Sequence, residues 1–182
     1  MTDRAIFLDR DGTVIEEVGY LHSPEQVSLL DNAVEALARL MDAGFRLVVV
    51  TNQSGVARGM FTAADVEAAN SRMVELFDKH DVVFDAIYYC PHLEGCDCRK
   101  PSGGMVKRAA EELGVDPGKS YVVGDRLSDM GLALNTGARG ILVLTGYGKE
   151  AIKELERDNG YEPHHIAEDI SAAADWILET EG

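Results

Sequence analysis

Apolar positions along this chain fall into short unbroken runs separated by stretches in which they recur every three or four residues. Ala5–Leu8, Leu47–Val50, Ala86–Tyr89, Tyr121–Val123 and Ile141–Leu144 are the runs, and their length and composition predict strands buried on both faces. Between them, Ala33, Leu37 and Leu40 share the face of a helix that ends at Gly44. Thr62 with Asp65 three residues later reads as the cap of a long helix ending near His80. Met105–Leu113 and Asp129–Thr136 are helical, and Pro117-Gly118 is a turn. Beyond the last strand, Ala151–Arg157 and Ala172–Leu178 predict helices on the outside, the second anchored by Trp176, with His164-His165 in a surface loop before it. This alternation predicts an α/β fold: a three-layer, Rossmann-like parallel sheet with helices on both faces. No repeat or long linker interrupts it, so residues 1–182 are expected to form a single domain.

Composition narrows the functions available. The 182 residues are 46% hydrophobic and 27% charged, as in ordinary folded domains. A formal net charge of −15 argues against nucleic-acid and anionic-membrane partners, and leaves small anions that a local basic cluster could hold. No apolar run approaches the ~20 residues needed to span a bilayer, and Met1–Leu8 has no secretory pattern. The three cysteines all lie between Cys90 and Cys98, which suggests a reducing compartment and metal binding over disulfides. A soluble, cytoplasmic monomer is the expectation.

The chemistry sits just past the strand ends, where open α/β sheets place their ligands. In Ile6-Phe7-Leu8-Asp9-Arg10-Asp11-Gly12-Thr13, Asp9 and Asp11 are two residues apart, so in an extended segment they point the same way. Such charges repel unless a cation or proton separates them, and hard Mg²⁺ suits oxygen donors. Thr51, leading into Asn52-Gln53-Ser54-Gly55, offers a hydroxyl and free N–H groups to phosphate oxygens. Arg99-Lys100 offers a fork and a point charge for the same anion. In Gly124-Asp125-Arg126-Leu127-Ser128-Asp129, Asp125 could complete a magnesium shell, and Asp129 could orient a water or Lys100, or cap the next helix. Each piece alone also has a plain reading as an acidic turn, a strand-end threonine or solvated surface charge.

Cys90-Pro91-His92-Leu93-Glu94-Gly95-Cys96-Asp97-Cys98 holds four soft or borderline ligands in nine positions. Three thiolates and one imidazole, Cys90, His92, Cys96 and Cys98, make a closed tetrahedral zinc site with no open position for catalysis. Its expected role is to staple a loop whose end delivers Arg99 and Lys100.

Taken in order, Asp9-x-Asp11-Gly12-Thr13, Thr51, Lys100 and Gly124-Asp125-x-x-x-Asp129 resemble the haloacid dehalogenase superfamily of phosphohydrolases. The resemblance implies Asp9 as nucleophile, Asp11 as general acid and then base, and Thr51 and Lys100 as stabilisers of the phosphoryl group. It implies Mg²⁺ held by Asp9, Asp11 through its backbone carbonyl, and Asp125, with Asp129 behind them. The zinc loop, Gly19-Tyr20 and Cys98-Arg99-Lys100-Pro101 are similar to the zinc-loop subfamily of D-glycero-D-manno-heptose 1,7-bisphosphate phosphatases. In that subfamily the positions of Glu17, Val18, Gly19, Tyr20, Asn52, Gln53, Ser54 and Arg99 contact the substrate. The reaction implied is removal of the C7 phosphate through an aspartyl phosphate, in heptose and lipopolysaccharide-core biosynthesis. The short zinc loop is closer to the histidinol-phosphate phosphatases, though the chain stops at Gly182 without their common dehydratase partner. A non-catalytic phosphate-binding module would not need both Asp9 and Asp11. A phosphomutase would need a large cap, for which there is no room between Thr13 and Thr51.

Overall fold

The computed structural model describes residues 3–157 and 160–182. Six strands, β1 (Ala5–Leu8), β2 (Arg46–Asn52), β3 (Ala86–Cys90), β4 (Tyr121–Gly124), β5 (Arg139–Val143) and β6 (His165–Ala167), form one sheet in the order β3-β2-β1-β4-β5-β6. Every pairing is parallel. Alternation along β1 explains the layers. Ile6 and Leu8 enter one core with Leu47, Val49, Val123 and Ile141, whereas Ala5 and Phe7 enter the other with Val48, Val50 and Val122. Helices α1 (Ala33–Asp42), α2 (Ala63–Asp78) and α6 (Ile170–Glu181) cover the first face. Helices α3 (Gly104–Leu113) and α4 (Leu127–Thr136) cover the second, and Ala151 of α5 (Gly148–Leu155) packs there against Met130 and Leu142.

The sheet is wound outward in both directions from its middle, so the chain reverses between β1 and β4. The carboxyl ends of those two neighbours diverge into a crevice, the place where open α/β sheets receive ligands. Between β1 and α1, the described chain forms only isolated bridges, Asp11 with Ile15 and Ile15 with Leu29, and a single 3-10 turn, Pro24–Gln26. No large cap stands over the strand ends there.

The expected helix cap at Thr62 is present: its side chain accepts from the Asp65 N–H while the Asp65 carboxylate accepts from the Thr62 N–H. Boundaries move elsewhere for local reasons. α4 begins at Leu127 because extended Arg126 is its N-cap and Asp129 accepts the Arg126 N–H at 3.0 Å. α6 begins at Ile170 because Asp169 accepts from the Ala172 N–H. One expectation is overturned. His165 is not in a loop but opens β6, paired to Ile141, and its ring stacks on Trp176 at 4.8 Å. The three-residue edge strand has no β-branched run to announce it. His164 is likewise tied down, with its N–H donating to the Gly140 carbonyl and its Nδ1 accepting from the Gly140 N–H. Trp176 does anchor α6, edge-on to Tyr121 at 6.2 Å.

Helix α2 contributes Ala69, Met73 and Phe77 to the first core. Phe77 is fully buried there and meets Phe84 edge-on at 5.1 Å. Replacing it by alanine, Phe77→Ala, is expected to destabilise the fold by about 3–5 kcal/mol, measured by urea unfolding; a loss below about 1 kcal/mol would contradict this packing.

Candidate active site

β1 ends where the sheet switches direction, and the Asp9 N–H still pairs with the Val123 carbonyl of β4 at 2.9 Å. Asp9 is therefore held by backbone ladder bonds at the bottom of the crevice, with 6% of its surface exposed. Its Oδ1 accepts from the Arg10 N–H at 2.8 Å and meets Lys100 Nζ at 2.9 Å. Lys100 Nζ also lies 2.6 Å from Asp129 Oδ1 and donates to the Val50 carbonyl at 2.9 Å. Burial alone would lower the lysine's proton affinity, but the charges of Asp129 and Asp9 outweigh it and raise the pKa above the usual lysine range. Asn52 fixes the backbone there, donating to the Lys100 carbonyl and accepting the Lys100 N–H.

Asp125 follows β4 and is completely buried. Its Oδ2 accepts the Tyr147 N–H at 2.7 Å, whereas Oδ1 has no hydrogen-bond partner among the described residues. Burial, and then the charge of Asp9, pushes the Asp125 carboxyl up to about 8. Burial pushes Asp129 up to about 6 against the pull of Lys100. Ligand oxygens of Asp9, Asp125 and Asp129 all lie within 4.8 Å of one another. A buried carboxylate oxygen without a donor, among converging carboxylates, is what a hard divalent cation satisfies. Glycine keeps this space open: a Cβ on Gly12, which has φ +80°, would collide with Asp125 Oδ2, and one on Gly124 would collide with Asp129.

Asp11 is oriented differently. Arg10 Nε and Nη2 donate to its two oxygens at 3.0 and 3.1 Å, and Gln53 Nε2 donates to Oδ2 at 2.8 Å. The same Gln53 amide donates to Thr51 Oγ1 at 3.0 Å, which ties the end of β2 to the end of β1. Asp9, Asp11, Thr51 and Lys100 together line a cavity of about 410 Å³.

Of the substrate positions expected from sequence, Glu17, Gly19, Tyr20, Asn52, Gln53, Ser54 and Arg99 line this cavity. Val18 does not; it is 45% exposed, outside the cavity wall. Burial raises the Glu17 pKa against the Gly19 N–H it accepts, and its carboxylate lies 3.7 Å from Arg126. Arg126 in turn lies 3.8 Å from the centre of the Tyr147 ring, a cation–π contact. Arg126, Tyr147, Arg58, Phe61 and Ser128 also line the wall without having been singled out from sequence as substrate contacts. Arg126 and Ser128 lie inside a motif whose sequence points to carboxylates and a helix cap rather than to substrate contacts. For Tyr147 and Phe61 only the folded topology brings the ring to the crevice.

Cys90 is the last residue of β3, and the loop after it gathers the remaining soft ligands. Sγ atoms of Cys98 and Cys90 are 2.8 Å apart, Cys96 lies 3.5 Å from each, and His92 Nδ1 lies 3.3 Å from Cys98 and 3.7 Å from Cys90. All three cysteines are free thiols. Burial pushes the Cys90 and Cys98 thiols up; Cys96 feels burial too, but hydrogen bonds from Cys98 and the Arg99 backbone bring it down to about 7. Zn²⁺ would fit this set by replacing crowded thiols with thiolates at ~2.3 Å. Gly95, at φ +71°, makes the turn between the two ligand pairs.

A family model described as HAD-hyrolase-like matches residues 97–173. A D-glycero-beta-D-manno-heptose-1,7-bisphosphate 7-phosphatase of Escherichia coli K12 is 41% identical over 187 residues, 97% of this chain and 88% of that protein. A D-glycero-D-manno-heptose-1,7-bisphosphate 7-phosphatase of Thermosynechococcus vestitus is 40% identical, covering 95% and 94%. The crystal structure of D,D-heptose 1,7-bisphosphate phosphatase from B. bronchiseptica, complexed with magnesium and phosphate, superposes with a TM-score of 0.88 at 36% identity, covering 97% of this chain and 99% of that one.

Two expectations follow from the carboxylates and thiols. Without a cation, the stability that Asp125 contributes is fully present below its unfolded value of 3.8 and is lost as pH rises through about 8. Mg²⁺ competes with that proton at pH 6 and much less at pH 8. The rise in melting temperature on adding Mg²⁺ is therefore expected to be larger at pH 8 than at pH 6; an equal or smaller rise at pH 8 would contradict the crowding. Elemental analysis of protein purified without chelators is expected to find stoichiometric zinc, lost together in Cys96→Ser and Cys98→Ser variants, and its absence would refute the zinc site.

Proposed function

We propose a residue-level mechanism on one premise: the chain belongs to the haloacid dehalogenase-like hydrolases, in the family of heptose-1,7-bisphosphate 7-phosphatases. It is a phosphoric monoester hydrolase, and its reaction is removal of the C7 phosphate of D-glycero-D-manno-heptose 1,7-bisphosphate, leaving the C1 phosphate in place. The observation that carries the assignment of roles is the Lys100 ammonium, set between Asp9 and Asp129 within 3 Å of both, at the wall of the 410 Å³ cavity.

An Asp9 carboxylate oxygen attacks phosphorus, forming an acyl phosphate as the ester P–O bond breaks. Asp11 delivers its proton to the departing sugar oxygen. Asp11, now a carboxylate, takes a proton from a water molecule as the water oxygen attacks phosphorus, the bond between phosphorus and the Asp9 oxygen breaks, and Asp9 leaves as a free carboxylate. Splitting the displacement in this way lowers each barrier. Lys100 and Thr51 hold the equatorial phosphoryl oxygens, where charge gathers in the transition state. Mg²⁺ bound by Asp9, Asp125 and the Asp11 carbonyl would reduce repulsion between the phosphate and Asp9. Asp129 keeps Lys100 charged and aimed, Arg10 and Gln53 fix Asp11, and the zinc loop positions Arg99 and Lys100.

The sugar then occupies the rest of the cavity, between Glu17–Tyr20 and Asn52–Ser54, with Arg99 toward the distal phosphate. Tyr20 and Phe61, whose ring centres lie 6.4 Å apart, present an aromatic edge to it. No helix of the described residues is long and apolar enough to cross a membrane. We read residues 1–182 as one domain acting as a cytoplasmic monomer, without nucleic-acid or membrane partners.

Asp9→Asn is expected to fold normally and to lose turnover by more than about a thousandfold, since the amide is no nucleophile. Phosphate release from heptose 1,7-bisphosphate, with circular dichroism as a folding control, measures this. Turnover like the wild type in the folded variant would end the nucleophile assignment. A wild type that prefers histidinol phosphate to heptose bisphosphate would end the substrate assignment alone.

A further inference from the structure

Arg10 stands between the two reacting carboxylates in sequence, yet its side chain is fully buried. Its guanidinium is shared between two elements far apart in the chain. Nε and Nη2 grip the two oxygens of Asp11 at 3.0 and 3.1 Å, and Nη1 donates to Asn70 Oδ1 at 2.8 Å. Asn70 lies in the middle of α2, where the neighbouring inward positions are Val66, Ala69, Met73 and Phe77. An amide among core positions of a helix is unfavourable unless its polar atoms are bonded, and here its oxygen is spent on the guanidinium that holds Asp11.

The consequence is geometric. An Arg bonded only to the two oxygens of one carboxylate can rotate about its long side chain, carrying the carboxylate with it. A third contact, on a helix packed into the core, fixes the guanidinium plane and with it the plane of the carboxylate. Gln53 supports the same carboxylate from the end of β2 at 2.8 Å. The Asp11 side chain is 17% exposed, and Asp11 is part of the cavity wall. Arg10 and Gln53 thus hold the Asp11 carboxylate from two elements while Asp11 remains part of the cavity wall.

We propose that Asn70 is a positioning residue for phosphate transfer: through Arg10 it holds the Asp11 carboxylate in the orientation from which protons pass to the leaving oxygen and from the attacking water. The inference rests on the roles given above to Asp9 and Asp11. It predicts an asymmetry between leaving groups. In the first step the Asp9–phosphorus bond forms while the ester bond breaks, and an alkoxide needs the Asp11 proton whereas an acidic phenol departs as phenolate without it. In the second step water must give its proton to Asp11 whichever group has left.

The test uses the whole enzyme with Mg²⁺, in wild-type, Asn70→Leu, Asn70→Ser and Asn70→Asp forms, on heptose 1,7-bisphosphate and on 2,4-dinitrophenyl phosphate. A positioned acid or base is worth ~10²–10⁴-fold, so partial misplacement in Asn70→Leu and Asn70→Ser is expected to lower kcat on the sugar about tenfold with KM within about twofold. With the aryl phosphate, the same variants are expected to show a rapid burst of phenolate followed by slow turnover, as phosphorylated Asp9 accumulates. Asn70→Asp, which restores an acceptor oxygen, is expected to recover most of the rate. A purely structural role predicts equal losses on both substrates and no burst, and either that result or unchanged kinetics would overturn the proposal. Should the Asn70→Leu and Asn70→Ser proteins not fold, Arg10→Lys, which keeps the buried charge but not the fork, must show the same burst, and its absence overturns the proposal equally. Wild-type turnover of the heptose substrate decides the functional reading separately.

Discussion

A buried ammonium group governs this architecture. Lys100 is 3% exposed and would surrender its proton in an apolar interior, but Asp9 and Asp129 stand at 2.9 and 2.6 Å and the Val50 carbonyl completes its shell. Those partners come from the end of β1, the start of α4 and the end of β2, so one side chain joins three strand-end segments. Removing one partner of such a pair leaves an uncompensated charge, at a cost of about 3–5 kcal/mol. The lysine must therefore arrive accurately. Asn52 grips its backbone in both directions, and the cysteine loop just before it gathers four ligands that, closed on a metal, would remove slack from the chain.

The same crevice concentrates negative charge that the lysine alone does not neutralise. Asp125 and Asp129 both have raised proton affinities, and Asp125 keeps an oxygen without a donor. Gly12 and Gly124 leave no Cβ in the space between the carboxylates. Taken together, the centre is poor at holding its own charges and well suited to a divalent cation and a phosphoryl group arriving together. A phosphate bound there would supply the anion for Lys100, and a cation would answer the carboxylates. Asp11 stands outside this cluster, bonded instead to Arg10 and Gln53.

Most of the fold was legible because its strands are short, apolar and followed directly by polar motifs, so each motif inherits a position from the strand before it. Asp9, Thr51 and Asp125 stand at strand ends for that reason, whereas Lys100 lies ten positions past β3, beyond the cysteine loop, whose spacing announced its own cluster. Contacts between distant segments were not legible. Nothing near Arg10 points to Asn70, 60 positions on, and nothing in Gly146-Tyr147-Gly148 points to the Arg126 guanidinium. β6 escaped notice because three residues at a sheet edge need no strong strand propensity once β5 offers a free ladder. Val18 was carried into the substrate set with its neighbours, but its side chain is exposed and does not line the cavity.

The central claim is that phosphorus passes through a covalent bond to one carboxylate at the switch point of the sheet. Acid quenching during steady-state turnover, followed by mass spectrometry of peptides, measures this most directly. The account predicts a phosphoryl group on Asp9 that appears within the first turnover and disappears as substrate is exhausted. Phosphorylation of another residue, or full turnover with no covalent phosphate at any time, would contradict it.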